Sequence, residues 1–318
     1  MNILFTGASS FTGYWFVREL AANGHEVWAT FTKDNADAYD GIRGVRVRQL
    51  QKTCNSVWSC PFGGERFSAL IRQNHWDVFC HHAAEVRNYR SLDFDVVSAL
   101  SHNTTHIHST LEALAKKNCR KLVLTGSVFE QDEGAGEKPL RAFSPYGLSK
   151  GLTSEVFRYW CQIMDITLGK FVIPNPFGPY EEPRFTAYLA NTWLKGEKAA
   201  VRTPRYIRDN IHISLLAASY RQFVESYANT PGFNKLNPSG YVESQGTFAL
   251  RFAHEMRGRF NTPCEIELGT QTEFEEPKMR INTDFVNAEQ FGWNEEKAWD
   301  DMASYYLSQN AANKANNK

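Results

Sequence analysis

The chain has 318 residues, of which 42% are hydrophobic and 22% are charged, the composition of an ordinary globular protein. Thirty-five basic residues balance thirty-five acidic ones, so no overall field recruits nucleic acid or an anionic membrane, and an anionic ligand has to be held by a few placed cations. Six cysteines without CxxC or zinc-ligand spacing, no leader-like start and no apolar run long enough to cross a bilayer predict a reduced, cytoplasmic protein with no membrane partner.

Strand-like and helix-like segments alternate through the first half of the chain. Strands are predicted at residues 2–6, 26–31, 45–49, 77–81, 121–125 and 168–173, and helices at 14–23, 65–73, 96–116 and 147–164. Such alternation predicts an α/β fold with a doubly wound parallel sheet of the Rossmann type and right-handed crossovers.

The pattern changes after Pro174, where prolines, glycines and aromatic residues mix with shorter helical stretches. This change predicts a first domain at residues 1–178 and a smaller, mixed C-terminal lobe at 179–307. The last stretch, residues 308–318 (SQNAANKANNK), is polar and of low complexity and is expected to be a flexible tail.

The first strand runs directly into a glycine-bearing turn, GASSFTG, and then into a helix. Gly7 and Gly13 flank this turn, so backbone amides at the helix start can face the pyrophosphate of a dinucleotide. Such turns also occur as simple connections between a strand and a helix. The position at the opening of a strand–helix–strand unit favours a cofactor. Ser10 stands where a middle glycine is usual, and we expect its side chain to shift the pyrophosphate slightly. The predicted cofactor contacts are Gly7, Ser9, Ser10, Phe11, Thr12 and Gly13.

The end of the second strand distinguishes the two nicotinamide cofactors. A carboxylate there binds the ribose hydroxyls of NAD, whereas cations and hydroxyl groups suit the 2′-phosphate of NADP. The strand here ends in Thr30, Phe31, Thr32 and Lys33, with no acidic residue before Asp34. We therefore expect Thr30, Thr32 and Lys33 to favour NADP(H), with NAD(H) as the alternative.

Ser127, Tyr146 and Lys150 form the strongest chemical pattern in the sequence. Tyr146 and Lys150 are four residues apart near the start of a long helix, so both side chains lie on one face. A tyrosine normally ionises near pH 10, and a neighbouring ammonium, together with a positive nicotinamide ring, is expected to lower that pKa and make the phenol an acid/base group. Ser127 follows the strand KLVLT at the carboxyl edge of the sheet, where its hydroxyl can hydrogen-bond the reacting oxygen.

The ordered landmarks of the chain, apart from its tail, resemble the extended short-chain dehydrogenase/reductases, the group of nucleotide-sugar epimerases, dehydratases and ketoreductases. These landmarks are TGASSFTG, DVFCHHAAE, SHNTTHIHSTLEAL, LVLTGS, SPYGLSK, IPNPFGP, RYIRDNIHIS and EPKMRINTD followed by FGW. The resemblance implies that residues 1–178 bind the dinucleotide and carry the catalytic helix, and that residues 179–307 bind a nucleotide sugar. It also implies a homodimer formed through the catalytic helix, with which Phe157, Tyr159 and Trp160 are compatible.

The same resemblance implies roles for further residues. Ala83, Ala84, Asn103 and Ile173 join Tyr146 and Lys150 as cofactor contacts, and the substrate contacts are Glu85, Ser127, Asn175, Arg208 and Arg280. The residue chemistry agrees, because the rigid fork of an arginine suits a diphosphate. The plain structural alternatives are salt bridges for the two arginines and a turn for Asn175 between two prolines. No carboxylate or cysteine arrangement completes a metal site around the histidines at 81, 82, 102, 106 and 108, so we expect no metal.

Three reactions compete within this family. A 4,6-dehydratase typically carries an Asp-Glu pair directly after the strand hydroxyl, but Ser127 is followed by Val128 and Phe129, which cannot transfer protons. The missing carboxylate at Phe31 favours an NADPH-dependent ketoreductase of a nucleotide-linked keto-deoxysugar, with an NAD-dependent nucleotide-sugar epimerase as the alternative. A non-catalytic cofactor sensor is disfavoured, because a sensor need not preserve the Ser/Tyr/Lys set.

Overall fold

The computed structural model describes residues 1–316 and contains a seven-stranded sheet and a five-stranded one. The strands are β1 Asn2–Thr6, β2 Glu26–Thr30, β3 Asn55–Val57, β4 Val78–His81, β5 Lys121–Ser127, β6 Ala135–Gly136, β7 Thr167–Ile173, β8 Asn175–Phe177, β9 Ala199–Val201, β10 Ile207–His212, β11 Phe233–Leu236, β12 Pro238–Ser239, β13 Tyr241–Ser244, β14 Ile266–Leu268, β15 Met279–Ile281 and β16 Asp284–Phe285. The helices are α1 Phe11–Ala22, α2 Gly41–Leu50, α3 Glu65–Gln73, α4 Val96–Asn103, α5 Ile107–Lys116, α6 Pro145–Ile163, α7 Phe185–Leu194, α8 Ile213–Ser226, α9 Gln245–Phe260 and α10 Glu295–Asn316.

The large sheet is parallel throughout and has the strand order β11-β7-β5-β4-β1-β2-β3. The order reverses between β1 and β4, and ligands of open α/β sheets bind in the crevice outside the carboxyl ends of the strands at such a point. The predicted doubly wound fold is confirmed. It places the glycine turn after β1 beside the ends of β4 and β5.

Each face of the large sheet is covered by an apolar layer. On one face α1 packs against α8, and the rings of Phe16 and Tyr220 are stacked with centroids 4.0 Å apart. On the other face α3, α5 and α6 bury a second cluster that includes Trp76 and Phe157. Within residues 1–316, none of the helices has both the length and the apolar character needed to cross a membrane.

The smaller sheet brings together segments that are distant in sequence. Its order is β13-β10-β15-β6, with β8 pairing with β10. Strand β6 belongs to the connection between Ser127 and Tyr146, and it pairs with β15, so Gly136 lies opposite Arg280. An aromatic core beneath this lobe includes Trp193, Phe252 and Trp299. The C-terminal lobe therefore holds the segment that links the two predicted catalytic residues.

Elements from beyond residue 178, the expected end of the first domain, also pack with that domain. Strand β11 pairs with β7 at the edge of the large sheet, and α8 packs on α1, so part of the C-terminal half completes the first domain. No local pattern in the sequence predicts that β11 returns to the large sheet.

Two predicted elements differ in the structure. Residues 45–49 are not a strand but part of α2: the V-R-V-R alternation imitates a strand, whereas Gly44, Val47 and Leu50 share one buried helical face. The helix predicted at 96–116 is divided into α4 and α5 by His106, whose φ is +51°. In addition, α10 continues through Asn316 into the expected tail, of which residues 317 and 318 lie outside the described part.

Candidate active site

The turn after β1 is built so tightly that only glycine fits at its two ends. Gly7 has φ +81°, and a Cβ added there would lie 2.7 Å from the amide nitrogen of Ala83. A Cβ added at Gly13 would lie 2.3 Å from the carbonyl oxygen of Gly7. The turn therefore lies directly against the chain leaving β4, at His82 and Ala83.

Ser10 uses its hydroxyl within the turn. Its Oγ caps α1 by accepting a hydrogen bond from the Gly13 amide (3.1 Å) and donates to the Gly7 carbonyl (2.9 Å). The Nε2 of His82 lies 3.0 Å from the hydroxyls of both Ser10 and Thr12, and its Nδ1 lies 2.9 Å from the Thr125 hydroxyl. Burial lowers the pKa of His82 to about 3, so the ring is neutral. The helix start remains suited to an anion because its first amides have no partner within the helix.

Aromatic side chains pack around the end of β2. Phe31 is buried, its ring stacks on Trp58 with centroids 4.7 Å apart, and the Tyr39 hydroxyl accepts a hydrogen bond from the Lys33 amide (3.2 Å). Lys33 and Thr32 are exposed, whereas Thr30 is buried.

Arg43 at the start of α2 adds a cation that the sequence analysis missed. Its guanidinium donates to the Ser9 hydroxyl through Nε (3.0 Å) and Nη2 (2.7 Å) and lies over the Tyr39 ring. The neighbouring Arg46 is buried and binds the Ser9 carbonyl, the Tyr180 carbonyl and Glu182, so its role is structural. The strand predicted at 45–49 hid this pair, because a helix is needed to bring both arginines back to the glycine turn.

Helix α6 begins at the carboxyl edge of the sheet, capped by Ser144, and places Lys150 against β5. The Lys150 Nζ is buried and donates to the carbonyl oxygen of Thr125 at 2.6 Å, two residues before Ser127. Burial lowers the pKa of Lys150. The Ser127 hydroxyl oxygen accepts from the Phe129 amide (3.2 Å), and Ile173 on β7 is the register partner of Ser127.

The side chain of Tyr146, near the start of α6, is partly buried. Tyr89 and Phe94, from the connection between β4 and α4, pack edge-on against its ring at 5.5 and 6.0 Å. Burial, followed by the Glu130 carboxylate and Tyr89, raises the pKa of Tyr146 above its ordinary value, and the Arg184 guanidinium opposes that rise. The phenol pKa is therefore raised in the protein alone, and the lowering expected from Lys150 together with a positive nicotinamide ring stays a prediction.

Asn103 holds the segment after β4. Its Oδ1 accepts from the Glu85 amide (2.8 Å) and its Nδ2 donates to Thr153 on α6 (3.2 Å). The Glu85 carboxylate pairs with Arg87, which lowers its pKa. Asn103 therefore fixes the backbone that carries Ala83, Ala84 and Glu85 past the site.

The two predicted arginines of the C-terminal half are neighbours. Arg208 on β10 and Arg280 on β15 are paired in register, and both guanidinium groups lie over the Phe143 ring, at 5.4 and 4.9 Å. Arg208 binds the carbonyls of Ile207, Pro277 and Lys278 and pairs with the exposed Glu276. Asn175 donates to the side chain of Asn210 on the adjacent strand, so it too lies at this lobe.

Arg280 differs from Arg208 because its side chain is turned inward. The residue is only 2% exposed, and its two terminal nitrogens donate to the carbonyls of Val128, Glu130, Glu133 and Arg141. These four carbonyls belong to the connection between Ser127 and Tyr146. The Arg280 side chain therefore holds this connection in place. Contact with a diphosphate stays a prediction for Arg208. Among the residues described, no three His, Cys, Asp or Glu side chains cluster as metal ligands.

Known proteins share this architecture along nearly the whole chain. A sequence profile of the NAD dependent epimerase/dehydratase family matches residues 3–237. Among solved structures, UDP-glucose 4-epimerase of Thermotoga maritima is 16% identical with a TM-score of 0.72, covering 97% of this chain and 99% of its own. UDP-glucuronic acid 4-epimerase of Bacillus cereus, in complex with UDP-glucuronic acid and NAD, is 17% identical with a TM-score of 0.72, covering 97% and 100%.

The dTDP-glucose 4,6-dehydratase of Bacillus anthracis, in complex with NAD, is also similar, at 18% identity and a TM-score of 0.69, covering 97% of both chains. At these identities the structural likeness shows the fold. No protein of curated function matches the sequence significantly.

Proposed function

The chain belongs to the NAD dependent epimerase/dehydratase family, and from this premise we propose that it is a nucleotide-sugar 4-epimerase, which oxidises one sugar carbon and reduces it again from the other face. The observation that carries the proposal is the contact of Lys150, one helical turn after Tyr146, with the Thr125 carbonyl near the end of β5, in a chain as long as the UDP-sugar 4-epimerases it resembles. This replaces the ketoreductase that we favoured from the sequence, which becomes the second candidate.

The glycine turn supports a nicotinamide dinucleotide as the cofactor. The turn admits no Cβ at Gly7 or Gly13, and the amides at the start of α1 suit a pyrophosphate. The residues that would hold the cofactor are Gly7, Ser9, Ser10, Phe11, Thr12, Gly13, Ala83, Ala84, Asn103, Tyr146, Lys150 and Ile173. When bound, the cofactor supplies a hydride acceptor and donor. Because Ser10 directs its hydroxyl to Gly7 and His82, it does not need to displace the pyrophosphate.

Three side chains supply the acid/base chemistry in this proposal. Tyr146 takes the proton from the sugar hydroxyl and returns it, and Ser127 donates a hydrogen bond to the same oxygen. The raised pKa keeps the phenol protonated at neutral pH in the protein alone. Its ionisation therefore depends on the positive charge that an oxidised nicotinamide ring and the Lys150 ammonium bring to the site.

An elimination reaction lacks its acid/base group here. Val128 and Phe129 follow Ser127, and the next carboxylate, Glu130, points into the protein, where it binds the Ser127 amide and Lys170. A side chain in that position cannot exchange protons with a sugar at the cleft. The dehydratase remains disfavoured on this ground.

The substrate contacts that we propose are Glu85, Asn175 and Arg208, next to Ser127 at the site. Arg208 is the cation for the diphosphate, which would compete with Glu276 for the same guanidinium nitrogen. Asn175 and Asn210 add amide groups on neighbouring strands. The nucleotide base and the sugar are not specified by these groups.

An NADPH-dependent ketoreductase is the second candidate, and one observation favours it. Arg43 joins Lys33 beside the end of β2, where the 2′-position of the cofactor's adenosine ribose lies in dinucleotide folds. Two cations and no carboxylate at this position suit a 2′-phosphate. We therefore propose that NADP(H) binds at least as well as NAD(H).

A homodimer is the assembly that the surface supports. Val97 on α4 and Leu148, Leu152, Tyr159 and Ile163 on α6 are exposed, and the four on α6 lie along one side of the helix. Phe157 is buried in the core and cannot take part. We propose that a second copy of the chain covers this strip, and light scattering of Leu152→Glu should then report a monomer.

All six cysteines are unpaired. The cytoplasmic location expected from the sequence stays a prediction.

The test of function is a panel of UDP- and dTDP-hexoses incubated with the purified protein and either oxidised dinucleotide. An epimerase interconverts C4 epimers without net change in reduced cofactor, and Tyr146→Phe abolishes the reaction. Turnover only with a 4-keto sugar and stoichiometric loss of NADPH would favour the ketoreductase. Inertness of the wild type towards every nucleotide sugar, with a folded protein, contradicts both.

A further inference from the structure

His82 follows β4 and lies between the glycine turn, residues 7–13, and the strand that ends in Ser127. Strand β4 pairs with β1 on one side and with β5 on the other. The residue directly after β4 is therefore placed at the carboxyl edge of the sheet, between the turn that follows β1 and the end of β5. The acid/base chemistry proposed for Ser127, Tyr146 and Lys150 does not involve this histidine.

The imidazole ring of His82 contacts hydroxyl groups on both sides. Its Nε2 lies 3.0 Å from the Ser10 Oγ and 3.0 Å from the Thr12 Oγ1, both at the start of α1. Its Nδ1 lies 2.9 Å from the Thr125 Oγ1 on β5. One ring therefore connects the turn after β1 with β5, although β4 separates these two strands in the sheet.

The hydrogen bonds of Ser10 determine which ring nitrogen carries the proton. Burial, followed by the charge of Lys150, lowers the pKa of His82 to about 3, so the ring is neutral and has a single N–H. The Ser10 hydroxyl donates its own proton to the Gly7 carbonyl (2.9 Å) and accepts from the Gly13 amide (3.1 Å). The His82 Nε2 is then the donor to Ser10, and the Nδ1 accepts from the Thr125 hydroxyl.

The glycine turn is packed directly on this residue. A Cβ added at Gly13 would lie 2.9 Å from the Cδ2 of His82, and one added at Gly7 would lie 2.8 Å from the His82 carbonyl carbon. The ring of Phe16 on α1 meets the imidazole edge-on, with centroids 5.4 Å apart. The imidazole is therefore held between the turn and the first helix.

We propose that His82 is a positioning residue for the dinucleotide: with its proton on Nε2, the ring holds the glycine turn at a fixed place relative to β5. The inference rests on the proposed function in taking this turn as the pyrophosphate site. The Thr125 carbonyl accepts from the Lys150 ammonium at 2.6 Å. Thr125 therefore holds His82 through its side chain and Lys150 through its main chain, which ties the cofactor turn and the catalytic helix to one residue of β5.

The variants that separate the two ring nitrogens are His82→Gln and His82→Asn. The amide of glutamine reaches the position of Nε2 and can donate to Ser10 and Thr12, whereas the shorter asparagine reaches only the position of Nδ1. The dissociation constant is measured for whichever of NAD and NADP the wild type binds more tightly. We expect it to rise by about tenfold in His82→Asn and in His82→Leu, and by less than about threefold in His82→Gln. The dissociation constant of UDP is the internal control and should be unchanged in all three variants.

Thr125→Val tests the other end of the connection, because valine removes the hydroxyl and leaves the carbonyl that binds Lys150. If the ring transmits the contact, Thr125→Val combined with His82→Leu should bind the dinucleotide as His82→Leu alone does. Losses that multiply in the double variant would show two independent effects and overturn the connection.

A second readout needs no bound dinucleotide. Nitrogen-15 NMR of protein labelled at histidine distinguishes a protonated from an unprotonated ring nitrogen, and the His82 signals are assigned by their absence from His82→Gln. We expect a proton on Nε2 and none on Nδ1. A proton on Nδ1 overturns the proposal.

The binding results separate this proposal from the proposed function. If His82→Leu does not fold, the comparison of His82→Gln with His82→Asn decides in its place. Equal dinucleotide affinity in the wild type and His82→Asn, or an equal loss in His82→Gln and His82→Asn, overturns the role of His82 alone. A folded wild type that binds neither dinucleotide overturns the proposed function together with it.

Discussion

The Lys150 ammonium donates a hydrogen bond to the main-chain carbonyl of Thr125 across 2.6 Å, and this contact fixes the catalytic helix on the strand that ends in Ser127. Both residues are buried. The position of Tyr146, one helical turn before Lys150, is therefore set by packing and by this bond and does not depend on the phenol oxygen.

Tyr146→Phe should consequently remove catalysis and leave the structure intact. We expect kcat to fall by about 10²–10⁴-fold, the contribution typical of a general acid/base, while the affinity for a nucleoside diphosphate stays within about twofold. Steady-state kinetics and calorimetric titration of UDP measure the two effects. A variant that keeps more than about a tenth of the wild-type rate would remove Tyr146 from the mechanism.

Arg208 and Arg280 should respond in opposite ways to substitution, although they are neighbours on paired strands. Arg208→Ala is expected to weaken the nucleotide sugar and free UDP alike and to leave the dinucleotide unaffected. It should lower the free energy of unfolding by about 1 kcal/mol, because its partner Glu276 is exposed and its contacts with the carbonyls of Ile207, Pro277 and Lys278 are not fully buried. Arg280→Met leaves four main-chain carbonyls without their donor and should lower the free energy of unfolding by about 3 kcal/mol. Equal losses of both ligands in Arg208→Ala would instead indicate a folding defect.

Arg43→Ala should reduce the preference for a 2′-phosphorylated cofactor. A charged hydrogen bond contributes about 1.5–3 kcal/mol, so the ratio of the NADH to the NADPH dissociation constant should fall by about tenfold or more, and Lys33→Ala should lower it further. Titration of both reduced cofactors provides the measurement. Arg48, exposed on the same helix, is the control, and Arg48→Ala should leave the ratio unchanged.

The adjacent residues Glu181 and Glu182 should give opposite pH effects on stability. Burial raises the pKa of Glu181 to about 7 from its ordinary 4.5, so the folded protein binds more protons between these values and its stability falls as the pH rises through them. Glu181→Gln should therefore be more stable than the wild type at pH 8, by at most about 3 kcal/mol, and nearly equal to it at pH 4. Denaturant unfolding at the two pH values tests this.

Glu182 is the matched comparison. Burial alone would raise its pKa, but the hydrogen bond and charge of Arg46 hold it below the ordinary value. Its contribution to stability is present above that ordinary value and is lost as the pH falls, so Glu182→Gln should be less stable than the wild type at pH 8. A gain for both variants would refute this account of the pair.

The sequence predicts those parts of the site that depend on local pattern. Each of these parts lies within one short stretch of sequence: the turn with Gly7 and Gly13, the Tyr146–Lys150 spacing, and the strand leading to Ser127. The structure confirms the strands and helices that carry them. The alternation of apolar and charged residues around Val45 and Val47 led to a wrong strand prediction. A helix with one buried face can contain a short run of such alternation. Arg43 was missed for that reason.

Contacts between segments that are distant in the sequence could not be predicted from local patterns. Arg280 reads as a free cation near the C-terminus, yet the pairing of β15 with β6 turns it towards four carbonyls between residues 128 and 141. Likewise, Glu130 and Lys170 are 40 residues apart in sequence and meet only because β5 and β7 are neighbours. No periodicity or motif in a single sequence reports such a pair.

A deuterium atom placed on C4 of a UDP-hexose distinguishes an epimerase from a reductase. With the oxidised dinucleotide added in excess, we expect the C4 epimer to form with the deuterium still on C4, because one bound cofactor accepts and returns the same hydride. NMR of the sugar and mass spectrometry of the recovered dinucleotide measure both fates. Deuterium released into the free dinucleotide, without formation of the C4 epimer, would contradict the epimerase and favour the reductase.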